Sequence, residues 1–112
     1  MANNLELKIY NDKNFKIERT NNDDFDGGHG EGIQYIISIG DSIYEASVIK
    51  KYGSYGYEED LWELAFKKLD RTLVDLGLLW GLYDDVIGWL TEEKVNEYLE
   101  KFYKELVSKG II

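Results

Sequence analysis

The chain predicts an α+β domain, a small antiparallel β-sheet of about four to six strands packed by a C-terminal α-helix. Three observations predict it. Apolar and polar residues alternate with period two in the first half of the chain. A Gly-Asp junction joins two runs rich in β-branched residues. Near the C-terminus, apolar residues recur at steps of three and four.

Leu5-Glu6-Leu7-Lys8-Ile9 alternates as a half-buried strand does, and Asn11, Asp12 and Asn14 mark a turn. Phe15-Lys16-Ile17-Glu18 alternates again, which predicts a hairpin of the two segments. Thr20 to Gly32 is a polar loop with four glycines and four acids. Gln34 to Ile39 and Ser42 to Ile49 follow as strands. Gly40-Asp41 between them predicts a two-residue type II′ hairpin, because glycine supplies the positive φ at the first position. Lys51 to Tyr57 is a second glycine-rich loop. Leu61 to Leu69 is ambiguous: Glu58, Glu59 and Asp60 suit a helix start, yet Trp62, Leu64 and Phe66 alternate as in a strand. In the strand reading, Leu69 to Thr72 turns into a further strand, Leu73 to Leu76. Asp84 to Leu90 reads as a short helical turn. The last helix has Thr91 as N-cap and Glu92 and Glu93 in its first turn, where the helix dipole favours acids. Val95, Tyr98, Leu99, Phe102, Tyr103, Leu106 and Val107 form its apolar stripe. Glu97 with Lys101 and Glu100 with Lys104 are spaced as supportive pairs, and Gly110 ends the helix.

The chain has 112 residues, which suits one domain spanning 1–112. It carries 22 acidic against 13 basic residues, a formal net charge of -9. Phosphate backbones attract Lys and Arg clusters, and the sequence offers only the pairs Lys50-Lys51 and Lys67-Lys68. Direct nucleic-acid binding is therefore not expected, whereas a basic protein partner is. With no Cys, disulfides, thiol nucleophiles and Cys-based zinc sites are excluded. No apolar stretch reaches the roughly 18 residues of a membrane span, and the N-terminus does not read as a signal peptide. The expected location is the cytoplasm.

Candidate chemistry is sparse. The one histidine, His29, sits among glycines, where a polar loop residue is the simpler reading than a general base or ligand. Asn22, Asp24, Asp26 and Gly27 match the first half of a calcium loop, but Ile33 stands where the bidentate Glu is required. No catalytic residue, metal site or cofactor is assigned. The interaction candidates are Tyr52, Tyr55, Tyr57, Glu58, Glu59 and Asp60 in the second glycine-rich loop. Tyrosines give contact area at low entropic cost, and carboxylates suit an Arg or Lys surface. A second cluster mixes Trp80, Tyr83, Asp84, Asp85 and Trp89. Asp84 and Asp85 join the partner-binding set, while Trp89 is expected in the core.

From Gly28 to the terminal helix the chain resembles small proteins encoded by phages and prophages of Gram-positive bacteria. The residues that carry this are Gly27-Gly28-His29-Gly30-Glu31-Gly32-Ile33-Gln34-Tyr35, Gly53-Ser54-Tyr55-Gly56-Tyr57-Glu58-Glu59 and Asp84-Asp85-Val86-Ile87-Gly88-Trp89-Leu90-Thr91. The resemblance implies a strand from Leu61 to Lys68; Arg71 departs from the glycine it leads one to expect in the following turn. A phage origin, with the acidic composition and the lack of catalytic residues, suggests by analogy a non-catalytic inhibitor of a host nucleic-acid-handling or defence protein. Such an inhibitor, of the anti-CRISPR or anti-restriction kind, sets carboxylates where the nucleic acid's phosphates would lie. The partner is then a basic host or CRISPR-associated protein. The other expectation is a small phage adaptor or assembly protein, held by contacts with its own copies or with phage proteins.

Overall fold

Among the described residues five strands form one antiparallel meander, ordered β1-β2-β3-β4-β5 across the sheet. The structure is a computed structural model that describes residues 7, 15–21, 32–40, 42–51, 53–70 and 72–112. The strands are β1 (Phe15–Asn21), β2 (Gly32–Ile39), β3 (Tyr44–Lys51), β4 (Trp62–Lys68) and β5 (Val86–Leu90). A five-residue helix, α1 (Leu76–Trp80), joins β4 to β5, and α2 (Glu92–Ser108) closes the described chain. The α+β class is therefore as expected.

Alternation sorts the sheet into two faces. Ile33, Tyr35, Ile37 and Ile39 of β2, Ala46 and Val48 of β3, and Trp62, Leu64 and Phe66 of β4 are buried on one side. Val95, Leu99, Phe102 and Leu106 of α2 complete that core at their three-and-four spacing. At its centre Phe66 stacks on Phe102 with ring centroids 4.1 Å apart, and Trp80 meets Phe66 edge-on at 5.7 Å. The other face is mostly half-buried and is tied by Gln34–Ser47 (2.9 Å) and Glu45–Lys67 (3.5 Å). Among the described residues no helix is long and apolar enough to cross a membrane.

Several expectations change. The β2–β3 hairpin forms, but its link is four residues, 40–43, not two. The Ser42 N–H closes a turn on the Ile39 carbonyl with Gly40 at φ 58°, as the glycine argument requires. The Ser42 hydroxyl then donates to that carbonyl at 2.6 Å and accepts from the Tyr44 N–H, which delays the strand to Tyr44. Within the ambiguous segment 61–69, Trp62–Lys68 is a strand, β4. Leu73 to Leu76 is not one: Leu73 makes a single bridge to Lys67, and the chain then enters α1. Asp75 captures the Leu78 N–H and Asp85 captures the Leu76 N–H, and these caps start a helix where apolar residues alone suggested a strand. Conversely, Asp84 to Leu90 is not a helical turn. Val86 and Ile87 are β-branched and pair with β4, making β5 the edge strand.

α2 starts at Thr91, whose hydroxyl accepts from the Lys94 N–H, and Gly110 at φ 70° follows its end. Glu100 pairs with Lys104 as expected, at 3.1 Å. Glu97 instead pairs with Lys94, and the Lys101 ammonium lies 4.7 Å from the Trp80 ring centroid. The strand expected over Leu5–Ile9 lies outside the described residues except for Leu7, which is buried in the core. The turn at 11–14, the candidate cation loop with His29, and Asp41, Tyr52 and Arg71 also lie outside them.

Candidate interaction surface

The loop between β3 and β4 is built from short, local bonds. The Ser54 hydroxyl donates to the Lys51 carbonyl (2.7 Å) and accepts from the Lys51 N–H (3.0 Å). Gly53 and Gly56 take φ 90° and 95°, so side chains are strained there. Tyr57–Glu59 then form one 3-10 turn, and Asp60 leaves it at φ 61° with its N–H on the Tyr57 carbonyl. The Leu61 N–H returns to the Gly56 carbonyl at 2.9 Å, closing the loop on itself.

This loop is clasped by β5. The β4–β5 register slips between Trp62/Leu90 and Leu64/Ile87, so Gly88 and Trp89 together oppose Glu63. That bulge turns Trp89 to φ 55°, a conformation rare for a bulky side chain and worth roughly 1–3 kcal/mol of strain. Its N–H donates to the Tyr55 carbonyl at 3.3 Å. Tyr55 packs directly over Gly88: a Cβ built on that glycine would meet Tyr55 Cγ at 3.2 Å and Cα at 3.5 Å, and would approach Tyr55 Cβ more closely still. Gly56 is equally constrained, since its Cβ would lie 3.0 Å from the Trp89 backbone. The Tyr55 and Trp89 rings then stack with centroids 5.3 Å apart and planes 18° apart.

The stack is exposed. Trp89 retains 58% and Tyr55 48% of their accessible surface, so the expectation that Trp89 packs in the core is wrong. The reason is the bulge: without the extra residue Trp89 would not leave the strand's regular alternation. Trp89 forms a ridge between two shallow depressions. One, of about 360 Å³, is lined by Gly53 to Glu59 and is acidic and aromatic. The other, of about 540 Å³, lies against α2 and is lined in part by Lys94, Glu97, Tyr98 and Lys101.

The proposed partner residues separate in this frame. Tyr55, Tyr57, Glu58 and Glu59 converge on the first depression. Asp60 instead holds the Lys50 ammonium at 2.8 Å. Lys50 is only 3% exposed and also lies 4.3 Å from the Trp62 ring centroid, so Asp60 serves the fold. Asp85 caps α1, and Asp84 accepts from the Asp85 N–H; neither lines the depressions beside Trp89. Tyr83 is fully exposed, and Trp80 sits among core aromatics with its Nε1–H unpartnered among the described residues.

Sequence reasoning missed the role of Trp89 and the supporting Glu63. The signal for the first was Gly88 inside a β-branched run, a mark of a bulge or close approach. Glu63 lies on the open sheet face, and its Oε1 accepts from the Tyr55 N–H at 3.3 Å. Burial beneath the loop pushes its carboxyl above the ordinary range, opposed by the Tyr55 N–H and the Lys51 charge. Compared with known proteins, the chain matches no family model, no curated protein and no solved structure.

Proposed function

We propose that the chain is a non-catalytic acidic binding protein of phage type. It inhibits a host nucleic-acid-handling or defence protein by docking the Tyr55–Trp89 surface onto a basic region of it. The observation that carries this is the exposed, strained stack of Trp89 on Tyr55 beside Glu58 and Glu59. Large exposed aromatics at a constrained backbone are what binding hot spots are made of. The net charge of -9 supports a basic partner and slows approach to nucleic acid itself. The sequence resemblance to phage proteins supplies the host context.

The test is affinity capture by the tagged chain from a lysate of a phage-infected, CRISPR-carrying Gram-positive host, eluted by a salt step. The expected result is a near-stoichiometric basic nuclease, polymerase or defence protein, lost when Glu58→Lys and Glu59→Lys are combined. Equal recovery by that double variant removes the site assignment.

The adaptor or assembly reading has its own support at the opposite end of β4. Leu78 (88% exposed) lines a hollow with Tyr44, Lys68 and Leu73, and Leu69 (65% exposed) follows Lys68 with its N–H on the Ile43 carbonyl. Light scattering would show a concentration-dependent oligomer abolished by Leu78→Glu if that surface assembles copies. A monomer at all concentrations leaves only phage-protein contacts for that reading.

A further inference from the structure

We propose that the depression between Trp89 and the Tyr55 loop recognises an arginine side chain presented by the partner protein. This rests on the docking reading above and names the chemistry of its contact. The depression offers a cation two complementary features. Tyr55 and Trp89 both line it, stacked nearly parallel on one another and each about half exposed. Glu58 and Glu59 line the same hollow, and among the described residues neither is in an ion pair. The third acid of the run, Asp60, is committed to Lys50. Among the described residues no Lys or Arg lines this depression.

A guanidinium satisfies both features at once. Its plane lies on an aromatic face, while its fork of N–H donors reaches a carboxylate in two parallel bonds. A lysine ammonium is a point charge that keeps its water, and it gains less from a flat π surface. An anion, including a nucleic-acid phosphate, meets Glu58 and Glu59 and is repelled. The direction of entry also follows. Lys94 and Lys101 line the hollow on the α2 side of Trp89 against one acid, Glu97, which Lys94 holds, so the cation enters from the Glu58 side of the ridge.

The test titrates the full-length, 15N-labelled chain with an N-acetylated, C-amidated Gly-Arg-Gly peptide and its Gly-Lys-Gly counterpart. The indole N–H signals of Trp62, Trp80 and Trp89 are followed separately, with Trp89 assigned through Trp89→Phe. The arginine peptide should shift the Trp89 indole saturably and leave those of Trp62 and Trp80 in place. The lysine peptide should bind about fivefold more weakly. Combined Glu58→Gln and Glu59→Gln keep side-chain shape and should weaken the arginine peptide about tenfold. Equal affinity for the two peptides, glutamine variants that bind as the native chain does, or no saturable shift at Trp89 would each overturn the proposal. Capture from lysate separates the two claims. If Trp89→Ala loses the captured partner while the arginine peptide fails, the arginine chemistry falls and docking stands. If the arginine peptide behaves as expected while the glutamine variants still capture the partner, the cation site stands and docking through it falls.

Discussion

Gly88→Ala isolates the clasp that presents the aromatic surface. Gly88 does not have a positive φ, so alanine meets no backbone strain there and would lower unfolded-state entropy by roughly 0.4–1 kcal/mol in the fold's favour. The added Cβ, however, would stand closer than 3.0 Å to Tyr55 Cβ and 3.2 Å from its Cγ. The Tyr55 loop must withdraw, losing the ring stack and the Trp89 N–H to Tyr55 carbonyl bond. Overpacking of this kind costs about 1–3 kcal/mol; a cost in the upper half of that range, as expected for a clash of one Cβ on another, leaves a net loss of about 1–2 kcal/mol. For a domain of this length that is a fall in Tm of about 4–9 °C. Thermal unfolding gives the magnitude, and the Trp89 indole signal reports the stack. Because the clash is with Tyr55 Cβ, adding Tyr55→Ala leaves it in place, whereas adding Tyr55→Gly relieves it. An unchanged Tm with an undisturbed Trp89 signal would refute the geometry, and so would equal rescue by alanine and glycine.

Glu63→Gln should raise Tm at pH 7 and lose that advantage below pH 4.5, the carboxyl's ordinary value. The sign follows from a folded-state pKa that is raised: the fold binds the proton more tightly than the unfolded chain, so stability falls as pH rises from 4.5 through the raised value. A native chain whose Tm rises across that window relative to the glutamine variant contradicts it. Trp80→Phe should cost less in denaturant unfolding than emptying the core centre, because it keeps an aromatic ring and removes an indole N–H that is buried without a partner among the described residues. Phe66→Ala, which empties the centre of the stack with Phe102, should cost about 3–5 kcal/mol. Comparable losses in the two would mean that the Trp80 N–H is well satisfied.

The sheet and the terminal helix were legible from their periodicities. Ile33 to Ile39 alternates apart from Ile36, and Val95 to Leu106 keep one helical stripe, whereas the alternation of Trp62 to Phe66 after three acids left strand and helix both open. Leu73 to Leu90 was misread where single polar groups outweigh pattern. Two aspartates, Asp75 and Asp85, cap five residues into α1, and a pairing partner distant in sequence makes Val86 to Leu90 a strand. The loop of the candidate surface was visible from its tyrosines and acids, but the roles within it were not. Composition cannot tell Asp60, committed to a buried lysine, from Glu58 and Glu59 beside it. Nor does it reveal that a one-residue slip in register carries Trp89 out of the core and onto Tyr55.

Hydrogen–deuterium exchange of the captured complex tests the central claim most directly. The account predicts that partner binding protects the amides of residues 53–59 and 86–90 and leaves the exposed face of α2 and the open face of the sheet unchanged. Protection that bypasses the Tyr55–Trp89 surface and falls on α2 or on the Leu69–Leu78 surface would contradict it.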